Sequence, residues 1–476
     1  MADSKLSALT ETVAIDGTEL VYVVEDPSGT PVSRRVTVAN LLASLALELP
    51  VSILSFGAVG NGTTDNRAAI QAAVDYAAAQ GLSTVSIPDT LLGFGVSLAA
   101  HPVVGDPYYC AITVPNGVRL ECKGFLKLLA NQGVSGKSNA VVMNRQISVG
   151  GDENLSFDGL VIDGNNLNQT VPCSGAVVLR ARGVKYTRCR VRNMFGNATS
   201  GLGESVHFSA SLSTDVSWLD CVAECTGGSS ASGFSANSST NVRWIGCTAR
   251  GMTVANGFTH NACRNVTYVG CRSYLNARTG FNSEVSQDVV YNSCIAGSES
   301  STAATYPYAS GTSLGNTDHG FTINGSTNVG LIGCISRKNS QGANWSNAAF
   351  GYIVGGEYTD NAYGLAFSDT TATLVRISGN PKVSGNATKD LAVPSPLTGN
   401  YHPPGNVGAP SVPSSTVALT NPYPYAAGVY VLGGTVTAIA VAGIATGLTS
   451  GLVHVPAGAT IMLTYSSAPT WTWFID

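Results

Sequence analysis

The stretch Gly257-Phe258-Thr259-His260-Asn261-Ala262-Cys263-Arg264-Asn265-Val266-Thr267-Tyr268-Val269-Gly270-Cys271 is one copy of a pattern that runs through the middle of the chain. Phe258 opens it, Val266 follows eight residues later behind Asn265, and Cys271 closes it at thirteen. The same offset from Cys189, Cys221, Cys247, Cys294 and Cys334 leads back to Ala176, Phe208, Phe234, Phe281 and Phe321, and it continues from Ala343 to Gly356 and from Leu365 to Ser378. The residue before each of these anchors is Gly, except His207 before Phe208. Val216, Val242, Val289 and Val329 repeat the Val column, each behind Asp215, Asn241, Asp288 or Asn328. Successive anchors are separated by 32, 26, 24, 23, 40, 22 and 22 residues, so the basic period is 22–24.

A period of this length marks a stacked repeat. Short runs of alternating apolar and small polar residues, punctuated by Gly and Asn, read as three strands per turn. Stacked rungs bring equivalent residues to about 4.8 Å. Phe over Phe, Val over Val and Cys over Cys then fill the interior of a right-handed parallel β-helix, with free Cys acting as a small buried hydrophobe. The Asn/Asp column belongs at a bend, where these residues tolerate unusual dihedrals. The two long intervals predict insertions at 197–204 and 301–318, both leaving the coil between the Cys strand and the Gly-Phe strand. Loops on a rigid scaffold concentrate binding chemistry, so the groove beside that corner is the expected working face.

Composition agrees. Glycine contributes 54 of 476 residues, and only 11% of residues are charged, against about 25% in an ordinary soluble domain. With 44% hydrophobic residues and a net charge of −4, the chain is neither disordered nor a basic nucleic-acid binder. No run approaches the ~20 apolar residues of a membrane span. The eleven cysteines include no CxxC pair, so neither a zinc site nor a disulfide framework is expected, and no cofactor or metal is called for.

Toward the N-terminus, Phe56-Gly57-Ala58-Val59-Gly60-Asn61-Gly62-Thr63-Thr64-Asp65 precedes Ala68-Ala69-Ile70-Gln71-Ala72-Ala73-Val74. Thr64 or Asp65 is expected to cap a helix that buries Ile70, Ala73, Val74 and Ala77 and stops at Gly81. These residues resemble the opening of the pectate-lyase-like β-helix superfamily, which implies the fold without specifying a reaction. Residues 1–49, with Val21-Tyr22-Val23-Val24 and Val36-Thr37-Val38, look like a short virion-anchoring head. A Pro-rich linker over 393–413 leads to a compact β-domain over 414–476, sandwich-like and serving trimerisation or glycan binding. Anchor, β-helix over 50–392 and terminal β-domain follow the order of bacteriophage tailspikes. That resemblance implies a homotrimer, held to the phage tail or baseplate by its N-terminus, that binds and depolymerises capsule or O-antigen. No secretory signal opens the sequence, so synthesis in the host cytoplasm and release in the virion are expected.

Glycoside hydrolysis requires two carboxyl groups, about 5–5.5 Å apart in retaining enzymes and about 6.5–9.5 Å apart in inverting ones. Alternation about the Phe anchors points His207, Arg278, Glu284 and Asp318 outward. Glu284 interrupts a column of Asn237, Asn261 and Asn324. Asp318 and Arg278 share a column on consecutive rungs, an acid beside a substrate-binding cation or a surface ion pair. Asn316-Thr317-Asp318-His319 also looks like the Asn-Thr-Asp of polygalacturonase-type hydrolases, whose further aspartates and Arg-x-Lys are absent here. Glu204 and His207 form a possible acid–base couple, and Tyr306 and Tyr308 can stack on sugar rings. The catalytic candidates are therefore Glu284, Asp318, Glu204 and His207, and the binding candidates are Arg278, His319, Tyr306, Tyr308 and Asn261. Glu284 lies six residues along the strand from the Asp318 column, about 20 Å, so the two do not form one pair unless the chain bends back. A polysaccharide lyase, with His207 or a Tyr as base and Arg278 neutralising a uronate, and a receptor-binding spike without catalysis are the alternatives.

Overall fold

The computed structural model describes residues 20–25, 32–37, 50–148, 150–196, 205–229, 232–297, 315–347, 350–367, 375–379, 381–392, 405–407, 409–422, 426–456 and 458–475. Between Val51 and Ala392 the chain winds into a right-handed parallel β-helix of three long sheets, with twelve, twelve and eleven strands among the described residues. One rung shows the plan. Phe258–Asn261 lies in the first sheet, Arg264–Val269 in the second and Arg272–Tyr274 in the third. The pairing is parallel except at one end of the first sheet, where Ala99–His101 runs antiparallel to Gly105–Val114.

The eight anchors, from Ala176 through five Phe residues to Ala343 and Leu365, are in direct register. Phe208, Phe234, Phe258, Phe281 and Phe321 stack with centroids 4.7–5.0 Å apart. A second stack, Phe157-Tyr186-Trp218-Trp244-Tyr268-Tyr291, runs beside it at 4.5–5.5 Å and meets it edge to face. The six Cys of the repeat are buried and free, as are the other five. The last rung departs from the thirteen-residue offset: Ser378 pairs with Val354, short of the Cys column, because the preceding segment is longer.

Asp215, Asn241, Asn265, Asp288 and Asn328 all adopt φ of +55 to +57°, one residue into their second-sheet strands. Their side chains bond from rung to rung, as in Asn265 Nδ2 to Asn241 Oδ1 at 2.7 Å. The helix Arg67–Ala79 buries Ile70, Ala73, Val74 and Ala77 against the first rungs. Asn66, rather than Thr64 or Asp65, is its N-cap residue, although Asp65 Oδ1 accepts from the Arg67 N–H. Asn66 instead ties its amide to Val59, Thr64 and Gly95, fixing the loop that enters the coil. Gly81, at φ +68°, ends the helix.

Leu20–Glu25 and Val32–Thr37 pair antiparallel; the rest of 1–49 lies outside the described residues. At the other end, two four-stranded antiparallel sheets share a core of Val429, Val431, Trp473, Ile439, Ile461 and Leu463, forming a sandwich. Part of the expected linker belongs to it. Gly405–Val407 pairs with Thr470–Ile475, and the carbonyls of Pro410 and Pro413 accept from Trp471 Nε1 and the Tyr465 hydroxyl. No helix among the described residues is long and apolar enough to cross a membrane.

Candidate functional site

The corner between the third and first sheets is concave. A cleft of about 1320 Å³ runs along it from Thr226 through Thr253, Ala277, Thr317, Ser340 and Ala362 to Ala387. Seven rungs at about 4.8 Å give it a length of about 30 Å. The strand before this corner ends at Gly297 and Gly315 lines the cleft; residues 301–314 of the expected insertion lie outside the described residues.

The floor is an asparagine ladder. Asn276, Asn316, Asn339 and Asn361 are buried, and each donates from Nδ2 to the next, ending on Asn386, at 2.8–3.3 Å. The Oδ1 atoms of Asn276, Asn339, Asn361 and Asn386 also accept backbone N–H groups of the preceding rungs. The ladder bonds to itself, and Arg250, Lys338 and Asp360 stand above it at the lip among threonines and serines. Asn316, read in the sequence as part of Asn-Thr-Asp, is thus structural. The sequence reading missed the ladder, whose members lie five residues before Phe281 and Phe321 but four before Ala343 and Leu365.

Asp318 stands at the rim, one residue past Thr317, with its side chain half exposed. Its backbone N–H donates to the Arg278 carbonyl at 3.5 Å, which places the two on neighbouring rungs. No ion pair joins their side chains among the described residues; Asp318 Oδ1 faces His319 Nδ1 at 3.4 Å instead. Burial holds the His319 imidazole below its usual pKa against the opposing pull of Asp318. His319 is therefore neutral at neutral pH. Arg278 is exposed, so a guanidinium, a carboxylate and a neutral imidazole stand along the rim near the middle of the cleft.

Glu284 lies level with Asn261 and Asn324 on the outward face of the first sheet. Asn261 and Asn282 donate to its two carboxylate oxygens at 3.3 and 2.9 Å. Asn324, its partner, lies six residues beyond Asp318 on one strand path, so Glu284 and Asp318 remain about 20 Å apart.

His207 is a correction: it is fully buried rather than outward. At a corner the two-residue alternation fails, and the Gly column it interrupts faces the third sheet. A Cβ on Gly233 would lie 2.4 Å from the Gly257 carbonyl and 3.0 Å from Ala249 Cβ. His207 Nδ1 and Nε2 lie 2.9 and 3.1 Å from the carbonyls of Ser232 and Glu224; the neutral ring has one N–H and donates to one of them while filling the space between two rungs. Burial pushes its pKa down to about 4. His260 is also buried, with Nδ1 2.9 Å from the Tyr268 hydroxyl. Glu204, Tyr306 and Tyr308 lie outside the described residues.

Sequence reasoning also missed a charged cluster on the third sheet. Glu224, its side chain 1% exposed, is clasped by Arg190 and Arg250, which hold its carboxyl below the usual range. Arg250 reaches the Tyr274 hydroxyl as well, and so is fixed at the cleft lip. The signal was a vertical one, Arg192, Glu224 and Arg250 in register on successive rungs, whereas the charges considered were those beside the Phe anchors. Among the described residues no three His, Cys, Asp or Glu side chains converge as a metal ion would require.

No protein-family model and no curated protein matches the chain. Solved structures do. The Dettilon tailspike protein (gp208) is similar over 90% of this chain and 95% of its own, at 13% identity and a TM-score of 0.56. The A-module of the Azotobacter vinelandii mannuronan C-5 epimerase AlgE4 is similar over 74% of this chain and all of its own, at 19% identity and a TM-score of 0.53. Both likenesses are of fold: the coil seen here is the coil of a tailspike and of a polysaccharide-modifying enzyme.

Proposed function

We propose that this chain is a phage tailspike that binds a bacterial surface polysaccharide along the corner cleft and cleaves it near mid-length, beside Arg278, Asp318 and His319. The observation that carries the reading is the cleft itself: about 30 Å long by rung spacing, self-saturated in its floor and charged only at its lip, beside the insertion point of the longest loop. The tailspike likeness, which spans nearly the whole of both chains, supports the phage setting. In this setting residues 1–49 hold the spike to the virion, and three copies assemble.

Cleavage proceeds by hydrolysis. Asp318, at the rim, supplies one carboxyl group and Asp360, which lines the cleft two rungs further on, supplies the other. Two rungs put the backbones about 10 Å apart along the axis, beyond the ~6.5–9.5 Å carboxyl separation of inverting enzymes, so the two side chains must lean toward each other to form the pair. Glu284, held by two amides on the neighbouring face, binds sugar hydroxyls outside this pair. A second reading, β-elimination, is favoured by the neutral His319 next to the exposed Arg278: the imidazole takes the proton and the guanidinium neutralises a uronate. Fragment masses separate the two, because hydrolysis adds one water and elimination leaves an unsaturated end. Polymer left intact by the wild-type protein while still bound makes this a receptor-binding spike.

A further inference from the structure

The outward face of the first sheet changes character along the coil. On the middle rungs it presents Ser235, Asn237, Thr259 and Asn261. On earlier rungs the same columns turn apolar. Met143 and Val177 stand level with Ser209, and Leu179 with Ser211. Loops at 135–138 and 171–172 wall this end off, enclosing a pocket of about 470 Å³ floored by Met143, Val177 and Leu179. The volume falls within the ~300–1,000 Å³ of small-ligand sites.

Two features narrow the ligand. Lys137, in the wall, is tied to Asp106 at 2.6 Å, so its charge is already matched. Ser205, in the opposite wall, is 7% exposed, and its Oγ has no hydrogen-bond partner among the described residues. A buried hydroxyl without a partner is destabilising, and a bound acceptor would relieve it. The matching group is neutral and carries a methyl for the floor and a carbonyl oxygen for Ser205.

We infer that the pocket takes an acetamido sugar of the polymer, its methyl on Met143, Val177 and Leu179 and its carbonyl accepting from Ser205 Oγ. The inference rests on the polysaccharide reading and adds a substrate feature to it. A 6-deoxy sugar would use the floor but leave Ser205 unpaired.

Saturation-transfer NMR on the whole chain tests this with N-acetylglucosamine, N-acetylgalactosamine and N-acetylmannosamine against glucose, galactose, mannose and L-rhamnose. The expected result is transfer to the acetyl methyl protons of at least one acetamido sugar, with none to its parent hexose. Ser205→Ala then weakens binding about tenfold, the value of one hydrogen bond with a buried partner. Val177→Ser, which leaves the inward residues Ala176 and Val178 untouched, abolishes it with an unchanged circular dichroism spectrum. Transfer to no acetamido sugar, equal transfer to the parents, preference for L-rhamnose, or full binding by a folded Val177→Ser protein overturns the inference. Polymer degradation is read in parallel. Fragments without acetamido binding reject the pocket and leave the polysaccharide reading standing; acetamido binding without fragments supports the pocket while cleavage fails.

Discussion

Inside the coil, each rung from Ala176 to Leu365 sets its anchor directly over the last, and the Phe run and the Val column meet like with like. At the corner between the third and first sheets the same rungs repeat only in the floor, where Asn bonds to Asn. Above it Arg250, Lys338 and Asp360 each occur once, and Asp318 sits beside His319 at the rim. The contrast teaches where to look in a solenoid. Identity between rungs serves stacking, and chemistry stands where a column is interrupted.

The predictions bear on this division. If the corner is chemical and not structural, Asp318→Asn reduces polymer cleavage by about 10²–10⁴-fold, the usual worth of a general acid or base, with the melting temperature unchanged; initial rates and calorimetry on one preparation check both. If the interior is structural, Trp244→Ala costs about 3–5 kcal/mol in denaturant unfolding while cleavage per folded molecule stays at the wild-type level. The floor falls between the two. Asn339→Ala strands the partners of a buried amide and costs about 1–3 kcal/mol, with little change in cleavage. An Asn339→Ala protein as stable as wild type would remove the ladder from the structural side.

The smallest effect is one of pH. His207 and His260 have folded pKa values lowered by burial to about 4 and about 3, from an ordinary 6.5. The unfolded chain therefore binds protons first as pH falls. Their contribution is complete above the unfolded value, shrinks as pH falls through about 6.5, and is lost by their folded values. Replacing His207 by Gln should remove about 1 kcal/mol of the stability lost between about pH 7 and about pH 5.5. An unchanged slope in urea titrations would mean that His207 is not the buried brace seen here.

What the sequence revealed followed the same division. The anchors, the Val column and the left-handed Asn/Asp column were legible because stacking demands repetition. His207 was misplaced because strand alternation was carried through a corner, where the Cβ direction turns inward. The Asn ladder escaped because its distance from the anchors changes from five residues to four. The Arg190-Glu224-Arg250 clasp escaped because its members are 34 and 26 residues apart and meet only once the third-sheet register is known. The adjacency of Asp318 and Arg278 was legible from their shared offset, but the preference of Asp318 for His319 was not, since side-chain direction at a bend has no period.

The most direct test is to incubate the wild-type chain and its Asp318→Asn variant with a panel of purified capsular and lipopolysaccharide glycans and to take mass spectra of the products. The account predicts, for at least one glycan, wild-type fragments carrying one added water and a polymer left long by the variant. Full-length polymer throughout with the wild-type protein, or fragments produced equally by the variant, would contradict it.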